Sequence, residues 1–143
     1  MIKKLLIAFA AASMVAACSS EPPPPPPQQA PPAQATSFMV FFDWDRSNLS
    51  QQAQSTIAQA ANTFKQTGAA RVVATGHADR SGPENYNMAL SLRRANAVKD
   101  DLVRNGVPAG AIQVIGKGES QPLVPTADGV REPQNRRVEI VIQ

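Results

Sequence analysis

One cysteine and one histidine occur in 143 residues. With Cys18 alone, an internal disulfide framework, a thiolate metal cluster and a CxxC redox pair are all excluded. With His77 alone, so are the zinc constellations that need several imidazoles. Aromatic residues are sparse at 5%, and there is no large excess of one charge, since 14 basic side chains face 11 acidic ones. Lys3 and Lys4 belong to the first four residues; without them 12 basic groups remain against 11. No long basic run is left, which argues against a nucleic-acid partner. A membrane-spanning run is also missing. The largely apolar stretch from Leu5 to Cys18 covers 14 residues, short of the roughly 20 that cross a bilayer as a helix.

That stretch nevertheless has a pattern. Two lysines, the apolar run Leu5–Ala12 and the small residues Val15-Ala16-Ala17 before Cys18 follow the order of a secretory signal. Residues 1–17 are therefore expected to be a signal peptide. Val-Ala-Ala-Cys also resembles the lipobox of bacterial lipoproteins, which implies diacylglycerol on the Cys18 thiol and acylation of its new amino group. One acyl chain holds a membrane marginally and several hold it firmly. Ser19 rather than an aspartate follows, which favours the outer membrane as the destination. Residues 18–36 then form a lipidated start and a proline-rich stalk, with Pro22 to Pro27 in one block. Such a segment favours polyproline II, and the 18 residues from Ser19 to Thr36 would reach roughly 55 Å if fully extended.

Residues 37–143 read as one globular domain. Ser37–Trp44 is apolar and β-branched or aromatic, the pattern of a largely buried strand. Ser50–Thr67 reads as a helix with Ala53, Ile57, Ala60, Ala61 and Phe64 on one stripe, closed by Gly68. Arg71–His77 is a second strand. A helix is expected from about Glu84 to Asn105, its core stripe being Met88, Ser91/Leu92, Ala95, Val98 and Leu102. Ala111–Gly116 and Arg137–Ile142 complete the set, separated by a turn-rich loop from Pro122 to Asn135. The order β-α-β-α-β-β predicts an α/β (α+β) two-layer sandwich, with helices on one face of a mixed sheet.

Candidate chemistry gathers where strands end, the usual place for a ligand crevice in such sheets. Asp43 and Asp45 follow the first strand and Asp79 the second. Asp43-Trp44-Asp45 opens like a calcium loop, but Asn48 and Gln54 stand where that loop needs glycine and glutamate. On the second helix, at about 100° per residue, Arg93 points away from the core stripe. Arg94 lies about 90° from it, on the same flank as Asn87. Arg94 and Asn87 can then face the loop that carries Asp79 and Ser81. A guanidinium fork beside a carboxylate suits a zwitterionic ligand, the arginine clamping a carboxylate and the aspartate an ammonium. An internal Asp79–Arg94 salt bridge fits the same geometry equally well.

The residues Gly76-His77-Ala78-Asp79, Ser81-Gly82, Tyr86-Asn87, Leu90-Ser91, Arg93-Arg94-Ala95 and Val98 resemble the peptidoglycan-binding motif of the outer-membrane protein A C-terminal-like (OmpA-like) family. The flanks VFFDWDRSNL and NRRVEI match too, so the resemblance covers residues 38–143. Lipobox, stalk and a single domain without a preceding barrel are similar in arrangement to that family's peptidoglycan-associated lipoproteins. The resemblance implies that Asp79 and Arg94 hold the diaminopimelate of the peptidoglycan stem peptide, with Asn87, Ser81, Trp44 and Asp45 completing the pocket. It implies peptidoglycan and, through the lipid anchor, the outer membrane as partners, with the domain facing the periplasm. The alternative is an interaction module that docks a Tol-system protein, wall binding being secondary. Asp43 is expected to form a turn, His77 to support the Asp79 loop, and Asn135, Arg136 and Arg137 to brace the last strand. No cofactor is expected. Nor is an enzyme: the one cysteine is committed to lipid, and an acid beside an arginine is a poor proton donor at neutral pH.

Overall fold

The computed structural model describes residues 35–143. The signal segment, Cys18 and the stalk up to residue 34 lie outside the described residues. Strand β1 (Thr36–Phe41), helix α1 (Gln51–Thr67), β2 (Val72–Gly76), helix α2 (Glu84–Arg104), β3 (Ile112–Gly116) and β4 (Arg137–Ile142) follow in order. The element order matches the expectation, giving two helices on one face of a four-stranded mixed sheet. The sheet order is β1-β4-β2-β3, with β4 antiparallel to both β1 and β2, and β2 parallel to β3. The last strand is thus inserted between the first two, so its start at Arg137 lies level with the ends of both.

Helix α1 starts where Ser50 caps it, the side chain accepting from Ala53 N at 3.1 Å. It stops where Gly68 turns left-handed at φ 65°, a conformation that carries little penalty only for glycine. Val40, Val72, Ala74, Val138 and Ile140 alternate inward from the sheet and meet Ile57, Ala60 and Ala61 of α1 and Ala95, Val98 and Leu102 of α2. Burying each valine, leucine or isoleucine among them contributes about 1.5–3 kcal/mol.

Two expectations need correction. The first strand ends at Phe41 rather than Trp44, and it is a sheet edge rather than a largely buried strand. Both helices lie on one face, so Met39 and Phe41, which point the other way, stay 42% and 47% exposed. The core stripe of α2 is also rotated. Met88 and Leu92 are exposed, whereas Asn87, Leu90, Ser91 and Arg94 are buried. The cause is a close approach of backbones: a Cβ on Gly76 would sit 1.9 Å from the Ser91 carbonyl oxygen. Ser91 fits that contact and uses its hydroxyl there, donating to Met88 O at 2.7 Å and accepting from Gly118 N at 2.9 Å. A large apolar side chain has no room at position 91 itself.

Candidate binding site

Beyond Phe41 the chain turns sharply, with Arg46 N donating to Asp43 O and Asp45 held at φ 53°. The loop after β2 and the first turns of α2 rise beside it. Together they enclose an open cavity of about 250 Å³. Trp44, Asp45, Asp79, Ser81, Asn87 and Arg94 all line it, joined by Tyr86 and Leu90.

Arg94 is fully buried rather than at the rim of the helix–sheet junction. Its Nε donates to Arg46 O at 2.8 Å, Nη1 to His77 O at 3.0 Å and Nη2 to Asp43 O at 3.1 Å. The guanidinium also lies over the Phe42 ring, 5.4 Å from its centroid. An arginine has five N–H groups, so one on each terminal nitrogen makes no hydrogen bond within the described residues. Burial lowers its pKa to about 10, against the opposing pull of the Asp79 charge. It remains a cation at neutral pH.

Asp79 does not pair with Arg94. Its Oδ2 accepts from Arg136 Nη1 at 3.2 Å and Glu132 N at 3.3 Å. Its Oδ1 accepts from the Ser81 amide at 3.2 Å and from the Ser81 hydroxyl. Arg136 also donates Nε to Phe42 O at 3.0 Å. Sequence reasoning gave Arg136 only a bracing role and missed it as the partner of Asp79. The signal is topological: with β4 between β1 and β2, a side chain at its start reaches the ends of both neighbours.

The other residues fix the walls. Asn87 Nδ2 donates to Asp79 O at 3.1 Å and to Glu119 Oε2 at 2.6 Å, pinning the loop to the helix. Ser81 Oγ accepts from Trp44 Nε1 at 3.0 Å. The Tyr86 hydroxyl donates to Asp45 Oδ1, and that bond raises the pKa of the phenol. The Arg131 guanidinium stacks 3.5 Å from the centroid of Trp44, a cation–π contact at the mouth. Asp43 acts through its backbone carbonyl, which accepts from Arg94 and Arg46. Asn135 brackets Val124 with two bonds of 2.8 Å, and Arg137 is buried against Glu139. Both therefore brace the last strand and its loop. His77 is buried with neither ring nitrogen hydrogen-bonded, and burial lowers its pKa to about 4. Its imidazole is neutral at pH 7, while its carbonyl holds Arg94. Among the described residues no group of three or more metal-binding side chains occurs.

Arg94 and Asp79 thus line one cleft of a two-layer α+β scaffold, each held by its own partners and neither bonded to the other. The chain belongs to the OmpA family, whose profile matches residues 41–136. It is 50% identical over 114 residues to an outer membrane protein of Gluconacetobacter diazotrophicus, covering 76% of this chain and 30% of that protein. It is 39% identical over 98 residues to the peptidoglycan-associated lipoprotein of Mesorhizobium japonicum, covering 68% of this chain and 58% of that one. The crystal structure of the peptidoglycan-associated lipoprotein from Burkholderia pseudomallei superposes with a TM-score of 0.67 at 30% identity, over 73% of this chain and 89% of that one. The chain thus spans less than two thirds of these two curated relatives.

Proposed function

We propose that this chain is a lipid-tethered receptor for peptidoglycan, recognising the side-chain end of diaminopimelate. One observation carries the reading: Arg94 and Asp79 line the same open cavity without bonding each other. The two spare N–H groups of Arg94 suit a carboxylate. The carboxylates of Asp79 and Asp45 suit the neighbouring ammonium, which replaces the Ser81 hydroxyl on Asp79 Oδ1. Ser81, Asn87 and Trp44 supply shape and hydrogen bonds around that zwitterion. The names of the relatives, peptidoglycan-associated lipoproteins, support peptidoglycan as the polymer bound.

A charge-assisted hydrogen bond contributes roughly 1.5–3 kcal/mol net, so one domain binds a single stem peptide weakly. Many copies facing a polymer hold it far more tightly through effective concentration. Lipid on Cys18 would supply that array at the outer membrane, and the proline-rich stalk would carry the domain into the periplasm.

Co-sedimentation of the full chain with purified sacculi tests the proposal. The chain should pellet with the wall, and free meso-diaminopimelate should release it. Asp45→Asn keeps a side chain that tolerates positive φ while removing the charge. It should weaken pelleting, as should Trp44→Ala. A chain that stays in the supernatant, or that free diaminopimelate does not release, overturns the proposal.

A further inference from the structure

The long loop between β3 and β4 is fastened along its length. At its base Asn135 brackets Val124. Further on, Arg80 donates Nη1 to Thr126 O at 3.0 Å, pairs with Asp128 and accepts Gly129 N on its carbonyl at 2.7 Å. Glu132 N then reaches Asp79 Oδ2 at 3.3 Å. Arg131 stands between these last two anchors. Its guanidinium lies 3.5 Å from the centroid of the Trp44 ring, which is itself a wall of the cavity. Arg131 is exposed, and among the described residues its side chain makes no hydrogen bond and no ion pair. Arg80, Arg94 and Arg136 around it all have acceptors.

An aromatic face beneath a guanidinium supports the cation without using its N–H groups as a carboxylate would. A planar fork with its donors free is complementary to a carboxylate. Arg94 already answers the carboxylate of the ligand proposed for the cavity, and that zwitterion is neutral overall. Arg131 therefore adds a positive charge that no part of the zwitterion uses. A stem peptide carries two further carboxylates next to diaminopimelate. One is the α-carboxylate of the γ-linked glutamate before it, and the other is the terminal carboxylate of the alanine after it.

We propose that Arg131 is a specificity-determining residue that binds a second carboxylate of the stem peptide, beside the cavity rather than within it. The inference rests on the reading of the cavity as a stem-peptide receptor. A residue that merely covered the Trp44 ring would affect every ligand alike, whereas a carboxylate receptor responds to one group.

Titration of the full chain with four forms of the diaminopimelate tetrapeptide, followed by Trp44 fluorescence, tests this. The forms are the unmodified peptide, its terminal amide, its glutamate α-amide and the double amide. The double amide should bind about fivefold more weakly than the unmodified peptide, the scale of one solvent-screened charge pair. The single amide that reproduces this loss identifies the carboxylate. Arg131→Gln should erase the difference and leave affinity for the double amide within about twofold, while Arg131→Lys, which keeps the charge, should retain part of it. Equal affinity of the unaltered chain for all four forms, or a preference that Arg131→Gln leaves intact, overturns the role of Arg131 while the peptide receptor stands. A loss in Arg131→Gln spread equally over all four forms overturns it as well, by assigning the residue to the cover of Trp44. If no form binds, the peptide receptor fails and the role of Arg131 falls with it.

Discussion

Replacing Arg94 by lysine separates the structural duty of this residue from its proposed role toward ligand. Arginine makes three charge-assisted bonds, one to the buried carbonyl of His77 and two to the part-buried carbonyls of Arg46 and Asp43. A lysine ammonium is a single point with a shorter reach and can serve one of them. Two of these three carbonyls then lose their donors, at roughly 1–3 kcal/mol each. A loss of about 3 kcal/mol follows, well inside the 5–15 kcal/mol by which domains are stable, so the variant still folds. With a urea m-value of about 2 kcal/mol/M, the midpoint should fall by about 1.5 M with m unchanged. Fluorescence of Trp44, the one tryptophan, reports the transition from the pocket itself. A midpoint shift below about 0.3 M would show that the three carbonyls do not depend on the guanidinium, and the account of why Arg94 is buried would be wrong. A corollary concerns Arg94→Ala, which removes all three bonds: its failure to bind wall material reports fold and ligand contact together, which is why Asp45 and Trp44 are the sharper probes.

Further consequences can be measured on the same chain. The pKa of His77 is lowered to about 4 from 6.5, so the unfolded chain takes up its proton first. Stability should drop by about 2 kcal/mol between pH 7 and pH 5 from this group, and His77→Leu should flatten urea midpoints over that range; an unaltered slope refutes the assignment. Gly76→Ala drives a methyl into the Ser91 backbone and should cost about 3 kcal/mol or more. Gly110→Ala meets nothing within 4 Å and should stay within about 0.5 kcal/mol; equal losses in thermal unfolding would contradict the packing argument. Cys18→Ala should abolish incorporation of labelled palmitate in the expressing bacterium and release the chain from the membrane fraction, whereas retained label would remove the lipid tether from the proposal.

Element order was legible because its signals are local. The Ser50 cap, the Gly68 stop and the α1 stripe of Ala53, Ile57, Ala60 and Ala61 can be read without tertiary knowledge, and all appear in the fold. Hydrophobicity is a poor guide to burial along α2. At Gly76 two backbones touch, and there the polar Asn87, Ser91 and Arg94 go inside while Met88 and Leu92 go out. Met39 and Phe41 are exposed because both helices cover the other face of the sheet, and which face the helices take is a long-range property. For the same reason the pairing of Asp79 with Arg136, 57 residues apart, was invisible. The convergence of Trp44, Asp45, Asp79, Ser81, Asn87 and Arg94 on one cavity was anticipated. The manner in which the two principal charges are held was not.

Affinity for two stem peptides that differ at a single atom cluster bears most directly on the central claim. Diaminopimelate and lysine share the side-chain ammonium, but only diaminopimelate carries the carboxylate meant for the spare N–H groups of Arg94. Titrated calorimetrically into the full chain, the diaminopimelate tetrapeptide should bind about a hundredfold more tightly than its lysine counterpart, since two charge-assisted hydrogen bonds are lost with the carboxylate. Indistinguishable binding of the two peptides would contradict it.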